Sequence, residues 1–201
     1  MRTTPAIPAA RETALRARAP YENWRPPVIG VSILVPVGGD GLLLADMTGH
    51  GDLVLPVGPV EDGETPEQAA QQVLVGAPSG LPILRRVAVD EVQMRRRKII
   101  THILVTGPIT REDTAFLSYR DPRAVLRALP TVRAIADLPE DARARALIGF
   151  QALTIGAVAH LEAGTVRRLE PVASAARSSA GPESLALTFQ SEPDQEGACT
   201  P

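Results

Sequence analysis

Leu55-Pro56-Val57-Gly58-Pro59-Val60-Glu61-Asp62-Gly63-Glu64-Thr65-Pro66-Glu67-Gln68-Ala69-Ala70 is the stretch on which the fold turns. Its middle, Val57 to Glu64, is rich in Gly, Pro and acids and reads as a loop. A helix start follows. Thr65 is a capping residue, Pro66 suits the first helical position, and Gln68 completes a Thr-x-x-Gln capping box. The helix is expected to run to about Val75 and to stop at Gly76 or Pro78, where the backbone can no longer hold helical geometry.

Strands precede this helix. Val28 to Val37 is dense in β-branched residues and reads as a buried strand. Gly38-Gly39-Asp40-Gly41 is a turn signal, so Leu42 to Ala45 is the returning strand of a hairpin. Leu53 to Leu55 is a third, short strand stopped by Pro56. After the helix, Leu84 to Gln93 and Ile99 to Thr106 read as two more strands, separated by the basic cluster Arg95-Arg96-Arg97-Lys98. A short helix is expected near Asp121 to Leu129. A longer one is expected from Pro139 to roughly Ala163, with Leu147, Phe150, Leu153, Ala157, Val158 and Leu161 at helical spacing on the face toward the sheet. This order predicts an α/β fold, a mixed β-sheet flanked by helices, in one domain over residues 22–165. Residues 1–20 read as an Ala-, Arg- and Pro-rich arm with a short helix around Arg11 to Ala19. Residues 171–201 read as a disordered tail with one apolar patch, Leu185 to Phe189.

Composition bounds the function. Hydrophobic residues are 44 % of 201, enough for a core, but aromatics are 3 %, so that core is built from Val, Leu, Ile and Ala. A net charge of −2 points to neither nucleic acid nor a membrane surface. Cys199 is the one cysteine, which excludes an intrachain disulfide or a cysteine-based metal site and suits a reducing compartment. No apolar run approaches the roughly 20 residues of a membrane span. The N-terminus lacks an apolar signal-peptide region, so a soluble cytoplasmic protein is expected.

The stretch quoted first resembles the front half of the Nudix box of MutT-like hydrolases. That signature runs Gly, five residues, Glu, seven residues, then Arg-Glu-U-x-Glu-Glu-x-Gly-U, with U aliphatic. Gly58 and Glu64 have the first spacing, and the hairpin before them sits where the family places one. The resemblance implies a Nudix-type α/β/α sandwich and cleavage of a nucleoside diphosphate derivative with Mg2+ or Mn2+ held by the box glutamates. The back half of the box departs from the pattern. Gln72 and Val73 stand where Arg-Glu is expected, the next two glutamates fall on Gly76 and Ala77, and no acid occurs from Gln68 through Val89. A hard cation needs oxygen ligands, and these residues supply no carboxylate. The resemblance therefore implies a degenerate domain that binds a nucleotide or another phosphorylated metabolite without ordinary metal-dependent hydrolysis.

Two alternatives stay open. The first is an active hydrolase with a weak metal site on Glu61 and Glu64, with Glu112 or Asp113 as a relocated base. The second is an interaction scaffold whose tails recognise a protein partner. Homodimerisation is a further expectation carried by the fold. Gly58 and His50, next to the box, are candidate ligand contacts, and Arg95, Arg96 and Arg97 are candidate phosphate contacts. Each has a plainer reading: an exposed loop for His50, a solvated turn for the arginines, helix-terminus charge for Glu67. His102 lies in a strand of unknown facing, His160 on the surface of the last helix, and Tyr21 and Trp24 at an edge where they would pack or stack on a base.

Overall fold

A computed structural model describes residues 25–76 and 80–172. The first apolar run divides into two strands, β1 (Val28–Leu34) and β2 (Pro36–Val37), because Pro36 lacks the N–H needed to continue one ladder. Across the Gly38–Asp40 turn, β2 pairs antiparallel with β3 (Gly41–Asp46), the expected hairpin. β4 (Leu53–Val54) adds to β3. Val57–Pro59, read from the sequence as loop, is instead a strand, β5, antiparallel to β1 with Val31 opposite Gly58. The alternation that marks a strand needs more than three residues to show, and prolines stand just before this strand, at Pro56, and at its end, Pro59.

Next comes α1 (Pro66–Val73), then β6 (Leu74–Val75), and the long hairpin of β7 (Ile83–Met94) and β8 (Arg97–Thr106). The chain continues through α2 (Arg111–Thr114), β9 (Ser118–Tyr119), β10 (Val125–Pro130), α3 (Thr131–Asp137), α4 (Glu140–Thr154), β11 (Ala157–Glu162) and β12 (Thr165–Pro171). The helix expected over Asp121 to Leu129 is therefore a strand. β10 pairs with β3 over six positions, Val125↔Asp46 to Pro130↔Gly41, and the bonds offered by that edge override a weak local preference.

The last helix is shorter than the spacing suggested. It stops at Thr154, Gly156 turns the chain at φ +69°, and a further hairpin, β11–β12, follows. Ala157 and Leu161 are four apart, a spacing that a helix and a strand both place on one face. The buried face of α4 is also not the leucine stripe. Ala146, Gly149 and Ala152 are buried, Phe150 and Leu153 pack partly against the core, and Leu147 is half exposed.

The main sheet has the order β12-β11-β7-β8-β1-β5 and is mixed: β1 runs parallel to β8 and β11 parallel to β7, while the other neighbours are antiparallel. α1 packs Ala69, Ala70 and Val73 on one face with Val31, Ile33 and Leu104. α4 packs on the other with Leu34, Val87 and Ile103. The expected α/β/α sandwich is thus present. Among the described residues no helix is long and apolar enough to cross a membrane. The expected N-terminal arm, Tyr21, Trp24, the Leu185–Phe189 patch and Cys199 lie outside the described residues.

Candidate functional site

The start of α1 is built as the sequence dictates. Gln68 N donates to Thr65 Oγ1 at 3.2 Å, Thr65 N donates to Gln68 Oε1 at 2.8 Å, and Pro66 opens the helix. Its end is not local. Leu74 is extended and pairs with Tyr119, Val75 pairs with Ser118, and Gly76 takes φ +98° with its Cα against the Phe116 carbonyl. The helix therefore has 8 residues. Gly76 lies beyond it, and Ala77 lies outside the described residues. Val73, where the resemblance calls for a glutamate, is buried against Gly58: a Cβ on Gly58 would lie 2.6 Å from Val73 Cγ2. Gly58 thus has a packing cause of its own, the close approach of β5 to α1.

The acids ahead of the helix hold the loop. Glu64 Oε2 accepts from Glu61 N at 3.1 Å, and Glu64 Oε1 accepts from Gln72 Nε2 at 2.6 Å. The Gln71 amide closes the far side, donating to Leu81 O at 2.6 Å and accepting from Leu81 N at 2.9 Å. Glu61, Asp62 and Glu64 with Gln68, Gln71 and Gln72 rim an open depression of about 590 Å³. Both Glu64 oxygens already accept a bond, and the amides are neutral ligands. Among the described residues no three His, Cys, Asp or Glu side chains gather closely enough to hold a metal ion. The residues of α1 and its loop do not fit a cluster of divalent cations.

Glu112 sits exposed on α2 and is not brought into such a group with Glu61 and Glu64. Its neighbour Asp113 caps α2: it accepts from Thr110 Oγ1 at 2.8 Å and Thr110 N at 3.1 Å, and these bonds lower its pKa.

His50 is exposed on a turn organised by a residue that sequence reading passed over, Asp46. This carboxylate is fully buried, accepts from Gly49 N at 2.8 Å and Gly51 N at 3.2 Å, and pairs with Arg127 Nη2 at 3.0 Å. Burial alone would raise its pKa; the Gly51 and Gly49 amides and the Arg127 guanidinium reverse that and leave it lowered. Of the basic cluster, Arg95 occupies the turn at φ +36°, whereas Arg97 and Lys98 belong to β8 and Lys98 pairs with Glu91. None of Arg95, Arg96 and Arg97 borders the depression at Glu61 and Glu64. His102 faces α1. It is half-buried, its Nδ1 lies 3.4 Å from Arg86 Nη1, and burial with that guanidinium lowers its pKa against the opposing pull of Glu67. His160, expected on a helix, is on β11 with its Nε2 3.0 Å from a Glu170 oxygen.

A second cavity lies elsewhere. On the α4 side of the sheet, beside β5, a cleft of about 610 Å³ opens between the strands and the first turn of α4. This volume lies within the range of small-molecule sites, about 300–1,000 Å³. Its floor includes the small residues Gly30 and Ser32 of β1 and Thr101 of β8, beside Val28. Val54, Leu55 and Val57 form one wall, and Pro139, Asp141, Ala142 and Arg145 the other. Gly58 is the one candidate from the sequence that lines it. Tyr119 fixes the β5 wall from outside the sheet, donating from Oη to Val57 O at 2.6 Å and accepting from Val57 N at 3.3 Å. Arg145 is held by a wholly buried acid: its Nε donates to Asp90 Oδ2 at 2.7 Å, and Gly164 N donates to Asp90 Oδ1 at 3.1 Å. The spacing of Asp141 and Arg145, four apart on a helix, was the one local signal of this pair.

No family model matches the chain, and no curated protein matches it. Solved structures of MutT and Nudix proteins are similar to it in fold. The E. coli ORF135 protein is 17 % identical, with 65 % of this chain and 92 % of that one covered and a TM-score of 0.48. The MutT protein from Methanosarcina mazei Go1 is 13 % identical, with 65 % and 95 % covered and a TM-score of 0.47. A NUDIX hydrolase from Nitrosomonas europaea is 12 % identical, with 69 % and 81 % covered and a TM-score of 0.46. At these scores the likeness says nothing about the site, whose chemistry rests on the chain's own residues.

Proposed function

We propose that this chain is a degenerate Nudix-type domain that binds a nucleotide or a related phosphorylated metabolite in the cleft between β5 and α4, without ordinary metal-dependent hydrolysis. One observation carries the reading: α1 ends at Val73, and the one carboxylate retained from the box, Glu64, spends both oxygens on Glu61 N and Gln72 Nε2. A hydrolase of this kind needs cations bridging the phosphates to neutralise the leaving group and orient water. The residues here support no such cluster, while the apolar cleft supplies a place to bind. Its compartment, on the composition, is the cytoplasm.

The test is a panel of nucleoside diphosphate derivatives with Mg2+ or Mn2+, beside Glu64→Gln. The expected result is no product and a raised melting temperature with at least one compound. Ligand at about 100 times its Kd adds about 2.7 kcal/mol to stability, which a melting curve resolves. Metal-dependent product that disappears in Glu64→Gln overturns the reading.

A further inference from the structure

We propose that the end of the β7–β8 hairpin and the groove beside it bind the phosphodiester backbone of a single-stranded nucleic acid. Lys98, in the groove, and Thr101, in the cleft, are three apart on β8, so the two sites lie on opposite faces of the sheet. The inference goes beyond the proposed function and does not rest on it.

The first observation is segregated charge. The whole chain carries −2, yet Arg95, Arg96, Arg97 and Lys98 gather at one hairpin end. Arg25 joins them, its N donating to Arg96 O at 2.9 Å. That end projects from the sheet. β1 begins opposite Ile99 and β11 reaches only as far as Glu91, so neither neighbour flanks residues 93–98. Arg95 sits at φ +36°, where residues other than Gly and Asn are uncommon, so turn geometry does not account for an arginine there.

The second is that the nearby acids are already paired. Glu91 holds Lys98, Glu162 holds Arg167 at 2.9 Å, and Glu170 holds Arg168 at 3.0 Å. Among the described residues Arg25, Arg95, Arg96 and Arg97 pair with no carboxylate. Their charge is left for an outside anion.

The third is extent. A groove of about 550 Å³ runs across the outer strands, with Lys98 at one side and Arg167 and Arg168 at the other. Strand order puts β8 and β12 three spacings apart, about 14 Å. Phosphates repeat about every 3.4 Å along one strand of a duplex, so about four are needed to span the groove, more than a nucleoside diphosphate carries. No Phe, Tyr or Trp lines it, so bases have no stacking platform and the backbone is what is read. A membrane surface would need apolar area as well as charge, and residues 93–98 offer Met94 alone.

Fluorescence anisotropy on the full chain tests this, with labelled oligo-dT and oligo-U of about 12 nucleotides. Both are expected to bind. With about four phosphate contacts, each adding about −0.7 to the slope of log K against log salt, binding weakens about fiftyfold from about 50 to about 200 mM NaCl. Arg95→Gln, Arg96→Gln and Arg97→Gln together remove exposed charges; this variant is expected to bind about tenfold or more weaker, with a flatter salt slope and an unchanged melting temperature. A matched variant, Arg111→Gln with Arg120→Gln and Arg123→Gln, removes the same charge beyond the other end of β8 and is expected to bind within about twofold of the original. No binding at about 50 mM salt, a loss below about threefold in the hairpin variant, or equal losses in the two variants overturns the inference. So does displacement of the oligonucleotide by phosphatidylserine vesicles at equal phosphate concentration, which would make the partner an anionic membrane. None of these outcomes bears on the cleft.

Discussion

Arg85 shows how one side chain can set the length of a helix and the position of a strand. From β7 its guanidinium reaches the C-terminus of α4, with Nη2 donating to Ala152 O at 3.1 Å and Leu153 O at 3.0 Å, and Nη1 donating to Ala157 O at 2.9 Å. Ala152 O and Leu153 O belong to the last turn of α4, where carbonyls lack i+4 partners within the helix, Leu153 O accepting also from Gly156 N at 3.3 Å, and a cation there opposes the negative end of the helix dipole. Replacing Arg85 by Met keeps most of the aliphatic stem and removes all three bonds. Bonds to a charged donor contribute about 1.5–3 kcal/mol each, but the three share one group and water reaches the vacated carbonyls. The expected loss is therefore about 2–4 kcal/mol rather than the full sum. For a domain of this size, about 3 kcal/mol lowers Tm by roughly 6–12 °C. Urea unfolding followed by circular dichroism measures it, with the denaturant slope unchanged if only the native state is affected. A loss below about 0.5 kcal/mol would show that the guanidinium is not what closes α4.

Other expectations follow from the same contacts. Gly58→Ala puts a methyl 2.6 Å from Val73 Cγ2 and should cost about 1–3 kcal/mol in denaturant unfolding, or β5 must shift and the cleft with it. Tyr119→Phe removes the hydroxyl that bonds both polar atoms of Val57 and should cost about 1–2 kcal/mol; an unchanged midpoint would mean that water replaces it fully. Asp46 has a lowered folded-state pKa, so its contribution is present above the unfolded value near 3.8 and is lost as pH falls through the folded value. Asp46→Asn should thus be less stable than the original protein at neutral pH, with the gap narrowing below about pH 4 in parallel melting curves. A gap independent of pH would place the cost in packing.

What could be read from the sequence was local. Thr65, Pro66 and Gln68 form a cap whose partners lie within three residues, so α1 begins where the pattern says. Its end depends on Leu74 and Val75 pairing with Tyr119 and Ser118, more than forty residues away, and no local signal carries that. The same holds for β10, which is a strand because β3 offers an edge, and for β11, whose four-residue spacing fits either period until Gly156 and Gly164 are weighed. The cleft was less legible still. Arg145 looks like an ordinary helix-surface charge, and its buried partner Asp90 lies 55 residues earlier in β7. The acid that directly follows the apolar run Val87-Ala88-Val89 was the available clue, since a buried carboxylate needs a partner. Ser32 and Thr101 were hidden for the same reason, as small polar residues inside strands otherwise read only for their apolar neighbours.

The central claim is that this domain binds without cleaving. Phosphorus NMR on the wild-type chain at near-equal concentration with the nucleoside diphosphate derivative that most raises its melting temperature, in the presence of Mg2+, tests it most directly. The account predicts resonances broadened or shifted by binding and no new phosphorus species. New species that require the metal and are absent with Glu64→Gln would contradict it.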